Sequence, residues 1–326
     1  MAAFTGNGYL IADITALLAI PAVDRPAFRV ALLVQGIGWY EYDNTATTGG
    51  LIPTDSPTTG RWFAIAREIL KANRIYYVRT DGSDSNNGSA NTSDGAFLTI
   101  QKAIDVASSL DTAIYILTIQ LADGSYSAGS SYLNLKSFIG SAPIVIQGNV
   151  SNANAVTLTC TNPDGVVQAY NVKGVYSFRY VTFTNTNNGH GINCQNSIVH
   201  HGNCVLGSIG SGWGFVCANN GLITNSLGNV GYPLSISGNM SGYFLIFGAA
   251  IIEFVNATIT AIGTPNFSNA GILCVQLSYV NTNGMIISGS ATGKRYDVSS
   301  NAIIGSSGVT YLGSTAGTSS NGGLFL

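Results

Sequence analysis

Acid, base and ligand chemistry need side chains that this chain uses sparingly: 326 residues hold 15 Asp and Glu, 13 Lys and Arg, and three His. Past Asp111 the carboxylates are Asp123, Asp164, Glu253 and Asp297. A glycosidase sets two carboxyls on either side of one bond, and by elimination that pair would be Asp164 and Glu253. They lie far apart in sequence, so only a groove between subunits could join them. Solvated turn residues, as in NPDG at 162–165, are the simpler reading. A polysaccharide lyase would instead need a base and a charge-stabilising cation, with Lys173, Arg179, His190, His200 and His201 as candidates.

His190 with Cys194 and His200 with Cys204 form two H-x-x-x-C pairs. In a strand, four residues span roughly 13 Å, so neither pair chelates a metal without bending, and no metal or cofactor is assigned. The five cysteines, Cys160, Cys194, Cys204, Cys217 and Cys274, are odd in number and contain no C-x-x-C. They read as free, buried thiols. Asp81, Ser83, Asp84, Asn86 and Asn87 offer oxygen ligands but lack the regular spacing and bidentate Glu of a calcium loop. A loop bonded to itself fits better. Aromatic rings with amide and hydroxyl neighbours suit sugar stacking. Among Tyr126, Tyr132, Tyr170, Trp213, Tyr232, Tyr243 and Tyr311, the glycan-binding candidates are Trp213, flanked by glycines in GSGWGF, with Tyr232 and Tyr170.

Composition narrows the partners. Charged residues make up 9% and the net charge is −2, so there is no electrostatic footprint for nucleic acid. Mean hydropathy is +0.28, yet Pro21 and Asp24 end one apolar run and Glu253 interrupts another, short of the roughly 20 residues a spanning helix needs. No membrane insertion is expected. Residues 1–8 lack the basic start of a signal peptide, so the expected site of synthesis and folding is a cytoplasm.

The elements that must position these side chains change character along the chain. Residues 11–18 could be helical, FRVALLV (28–34) and GWYEY (38–42) read as strands, and 62–72 looks helical. Ile75 to Val78 suit a strand, and the Asp/Gly/Ser/Asn run that follows suits a long ordered loop. Thr99 is a plausible N-cap for a helix whose Ile100, Ala103, Ile104 and Ala107 recur on one face. From 113 onward, short strand-like pieces end in Gly, Asn or Ser. Phe178, Ile198, Leu222 and Phe244, taken as inward-looking, recur about every 20 to 24 residues. That is a coil-length period and predicts a solenoid.

The run IYYVRTDGSDSNNGSANTSDGAFLTIQKAID (75–105) resembles the segment that leads into the first coil of right-handed parallel β-helix proteins of the pectate-lyase-like superfamily. Pectate lyases proper carry clustered carboxylates for calcium, which this body lacks. GWYEYD with GRW (38–62) resembles the N-terminal region of bacteriophage tail-spike and tail-fibre proteins, and GKRYDVSSNAIIGSSGVTYLGSTAGTSSNGGLFL (293–326) resembles their closing segment. The resemblance implies an all-β, right-handed parallel β-helix with a small attachment domain and a capping helix, as a homotrimer. Its parts would be a virion-attachment domain (1–72), a lead-in segment with the capping helix (73–112), the β-helix (113–292) and a tip (293–326). It implies a virion protein, held to the phage tail or baseplate through 1–72, that recognises a host surface polysaccharide. A depolymerising spike and a structural tail component without a receptor are the alternatives.

Overall fold

The computed structural model describes residues 10–11, 14–22, 25, 31–34, 38–43, 46, 50–55, 58–64, 67–225, 232–306 and 308–326. The chain forms two compact units, 1–71 with 109–113, and 72–108 with 114–326.

In the first unit, strands Leu10–Ile11, Ala31–Val34, Gly38–Asp43 and Arg61–Ala64 form a four-stranded sheet, the first pair parallel and the rest antiparallel. A short helix, α1 (Ile14–Leu18), adds Leu17 to a core of Ile20, Tyr42 and Trp62. Gly60 adopts φ +95°, and a Cβ there would meet the Tyr42 ring, so only glycine lets this turn sit against the aromatic pair. Trp62, read from sequence as the start of a helix, lies inside a strand that pairs with GWYEYD. The alternation needed to bury Trp62 against Tyr42 overrides local helix propensity there. The predicted strand over 28–34 is found at Ala31–Val34; residues 28–30 and 1–8 lie outside the described residues.

The second unit is a parallel β-solenoid of about seven turns. Its strands stack into three parallel sheets of ten, seven and eight strands. One turn shows the rule: Val175–Arg179 joins the ten-stranded sheet, Thr182–Asn185 the seven-stranded and Ile192–Gln195 the eight-stranded, and Ile198–Gly202 then lies beside Val175–Arg179. Left-handed corners recur where the chain leaves the eight-stranded sheet for the ten-stranded one, at Asn171 (φ 53°), Asn196 (φ 46°) and Asn220 (φ 62°). Asparagine tolerates this conformation best among residues with a Cβ, and stacked corners also bond: Asn196 Nδ2 donates to Asn171 Oδ1 at 2.7 Å. Strands in 292–325 extend the ten- and eight-stranded sheets.

The interior is a column of rings. Phe178, Phe183, Phe215, Phe244 and Phe254 are fully buried, with Phe215 and Phe244 stacked at 6.1 Å and 14°. Each such ring contributes about 1.5–3 kcal/mol by leaving water. His201 joins this column, stacked on the Phe254 ring with centroids 4.4 Å apart and ring planes 22° from parallel. All five cysteines are free and buried, and Cys194 and Cys217 oppose each other in adjacent strands.

One correction concerns facing. Phe178 and Phe244 point inward, but Ile198 and Leu222 share an outward column of the ten-stranded sheet and are exposed or half-buried. The coil period was legible, but alternation could not separate inside from outside where both faces carry apolar residues.

Candidate functional site

Helix α2 (Ile100–Ser108) buries Ile100, Ala103, Ile104 and Ala107 and packs against strands Arg74–Val78, Leu117–Leu121 and Leu133–Asn134. Thr99 caps it, its hydroxyl accepting from Lys102 N–H at 3.1 Å. Asp84 reaches back from the polar loop to accept from Thr99 N–H at 2.9 Å and from Thr99 Oγ1 at 2.7 Å. The rest of that loop also bonds to itself and its flanks. Asn86 Nδ2 donates to Ser93 O and Ala96 O, and Arg79 grips Asp81 through two nitrogens. Among the described residues no group of three His, Cys, Asp or Glu is placed to hold a metal.

The polar face of α2 forms one wall of an open groove of about 810 Å³, and residues 125–136 form the other. Gln101 ties the walls together: its Oε1 accepts from Asn134 N–H at 2.8 Å, while its Nε2 donates to Asn134 O at 3.1 Å and Asp105 Oδ1 at 2.9 Å. An amide side chain thus extends the edge of the sheet. Lys136 Nζ pairs with Asp105 at 2.8 Å; both side chains are well exposed, so the pair adds little stability and leaves two opposite charges facing the groove. Tyr126 also lines the groove, its hydroxyl anchored on Val78 O and Ala122 O, and burial pushes the phenol pKa up to about 12.

Tyr132 lines the same groove, and the strand that follows it, Leu133–Asn134, pairs in the eight-stranded sheet with Val167–Tyr170. Tyr170 is 44% exposed. Its phenol oxygen accepts from Asn193 Nδ2 at 3.2 Å and Gln195 Nε2 at 2.9 Å, so the hydroxyl hydrogen remains to be donated outward. Gln195 is held in turn by Asn219 Nδ2 at 3.0 Å. Partial burial raises the Tyr170 pKa, and the nearby Asp164 carboxylate adds to the rise. The backbone carbonyl of Asp164 accepts from Gln168 Nε2. The result is an aromatic surface with fixed amides around it and one carboxylate in electrostatic range, able to stack on and hydrogen-bond to a sugar.

The structure separates the other residues singled out in the sequence. Trp213 is 7% exposed, because the neighbouring strand presents Gly242 beside it and the indole lies on that backbone; no open ring face remains for a sugar. Tyr232 stands elsewhere, with the Arg179 guanidinium 5.6 Å from its ring centroid. Asp164 lies in a turn ahead of an eight-stranded-sheet strand, and Glu253 in strand Ile251–Glu253 of the ten-stranded sheet, several turns on. His190 Nδ1 accepts from Trp213 N–H at 3.1 Å, while the Cys194 and Cys204 thiols donate to backbone carbonyls. Sequence reasoning missed Gln101, Asp105, Asn134 and Lys136. Gln101 and Asp105 stand four apart on the polar face of a helix, a readable signal, but nothing local announces that Asn134 and Lys136 face them.

Compared with protein-family models, curated proteins and solved structures, the chain matches none.

Proposed function

We propose that this chain is a tail-spike-type receptor-binding protein, a right-handed solenoid closed by α2 and displayed in three copies, that binds a bacterial surface polysaccharide. The observation that carries the glycan reading is Tyr170, a half-open ring whose phenol is fixed by two amides, at the end of a strand that pairs with Leu133–Asn134 in the groove wall. Flat apolar surface flanked by fixed amides and hydroxyls is how a protein grips a sugar. Binding without cleavage is favoured, because Asp105 is committed to Lys136 and Gln101, and Asp164, in a turn ahead of an eight-stranded-sheet strand, and Glu253, on the ten-stranded sheet, lie several turns apart. Weak sites on three copies would add through avidity. Attachment through 1–72 to a phage tail rests on the likeness of GWYEYD and GRW alone.

The test is binding of the purified full chain to panels of bacterial capsule and lipopolysaccharide glycans. Tyr170→Ala should weaken binding of a recognised glycan about tenfold, the worth of roughly 1.4 kcal/mol. Absence of any glycan bound, or an unchanged Tyr170→Ala, overturns the reading. New reducing ends or unsaturated uronates in the same incubation would replace it with a depolymerase.

A further inference from the structure

We propose that Arg179, Ser177, His200 and Tyr232 form a second binding site, at the outer face of the ten-stranded sheet, that takes the carboxylate of an acidic sugar. Along Val175–Arg179 the buried Phe178 turns into the ring column, so Ser177 and Arg179 on either side of it turn outward. Ser177 is the floor: it is buried, and its hydroxyl accepts from Arg179 Nε at 3.2 Å. The Tyr232 ring flanks the guanidinium, 5.6 Å from Cζ to the ring centroid. It comes this close because Gly202 opposes Arg179 on the next strand, where a Cβ would meet the ring at 3.1–3.4 Å. His200 stands directly beside Ser177 on that strand, and its Nδ1 is buried without a hydrogen-bond partner among the described residues.

A guanidinium carries its N–H donors in a planar fork. Nε spends its donor on Ser177, and among the described residues no acceptor takes those of Nη1 and Nη2. Carboxylates do not reach them either. Asp123 accepts from Asn149 Nδ2 at 2.9 Å, and Glu253 stands two strands past His200 in the same outward column, roughly 10 Å away. Residues 226–231, which precede Tyr232, contain no Asp or Glu. Lys136 and Lys294 of the same solenoid each have an acid beside them; Arg179 is half-buried without one. Folding leaves such a group unsatisfied only where something else satisfies it, and a fork held from two sides is arranged for a planar anion with two oxygens. Charge narrows the choice. Burial and Arg179 itself lower the His200 pKa to about 4, so at neutral pH one positive charge faces the site. A carboxylate matches one charge, whereas a phosphate dianion calls for more. The site stands on its own geometry and on a different sheet from Tyr170; that its carboxylate arrives on a sugar rests on the glycan reading above.

Saturation-transfer NMR titration of the full chain at low salt, with glucuronate, its methyl ester and glucose 6-phosphate as probes, tests the site. Glucuronate should bind, and the methyl ester, which keeps the ring and loses the charge, should bind about tenfold more weakly. Arg179→Met should lose about the same factor for glucuronate, and Arg179→Lys most of it, because a point charge does not make the fork. No glucuronate bound, equal affinity for acid and ester, or an unchanged Arg179→Met overturns the proposal. Glucose 6-phosphate bound more tightly than glucuronate overturns the assignment to a carboxylate. The ester comparison uses the native chain, so it decides even where a variant fails to fold. Glucuronate bound through Arg179 while no bacterial glycan is recognised leaves this site standing and refutes the glycan reading; a glycan recognised through Tyr170 with no glucuronate bound refutes this site alone.

Discussion

Two outward columns of the same solenoid differ in almost every residue. On the ten-stranded sheet the column through Ile198 is apolar at all its levels from Val175 to Leu324. On the seven-stranded sheet the column Ser125, Thr157, Thr182, Val205, Ser235, Thr260, Ser288 is hydroxyl-bearing at every level but one. The inward sides of both sheets are alike: Leu158, Phe183 and Leu206 on one, Ile146, Phe178 and Ile223 on the other, all buried. Stacking dictates the inside of every turn, while the outside is free to differ. Hydroxyls satisfy one another and water, as Ser288 Oγ does in donating to Thr260 Oγ1 at 2.9 Å; exposed aliphatic side chains gain nothing until something covers them.

The comparison can be broken at its shared base. Phe215→Ala removes a ring that touches Phe183, Phe244, Phe254 and His201, and should cost about 3–5 kcal/mol. Denaturant titration should show both faces failing in one transition. A milder break transfers the apolar stripe. Ser235→Ile/Thr260→Ile gives the seven-stranded sheet two apolar levels, and light scattering should then show species larger than the unsubstituted chain forms, without loss of the fold.

A smaller effect distinguishes the two interiors, since the ten-stranded sheet carries His201 among its rings. Among the described residues neither nitrogen of His201 has a hydrogen-bond partner, and burial pushes its pKa down to about 3. Burial and Arg179 lower that of His200 to about 4. The unfolded imidazoles take up protons near pH 6.5 and the folded ones do not. Stability is therefore full above pH 6.5 and is lost as pH falls from there towards 3. His201→Phe should flatten the dependence of Tm on pH across that window and leave Tm at pH 8 nearly unchanged.

Much of the architecture was legible because short-range patterns reported it. Thr99 with Ile100, Ala103, Ile104 and Ala107 gave α2 and its cap, and the coil-length recurrence of apolar residues gave the solenoid. What stayed hidden depends on register. Ile198 reads like a core residue until its neighbours Val175 and Leu222 are known to share an outward column. Trp213 reads like an open platform until Gly242 is set beside it. The groove escaped notice for the same reason, since Gln101 and Asn134 meet only once the helix is laid against the turn that follows. Strand partners more than twenty residues away decide these things, and no local window contains them.

The stacked corners at Asn171, Asn196 and Asn220 have a kinetic consequence. Each new rung must bring together residues only about two dozen positions apart, whatever the height already built, so the entropy of closing it is nearly constant from rung to rung. Folding is then a zipper that advances one rung at a time from wherever it starts, and a taller solenoid of this design would take more steps without facing a harder one.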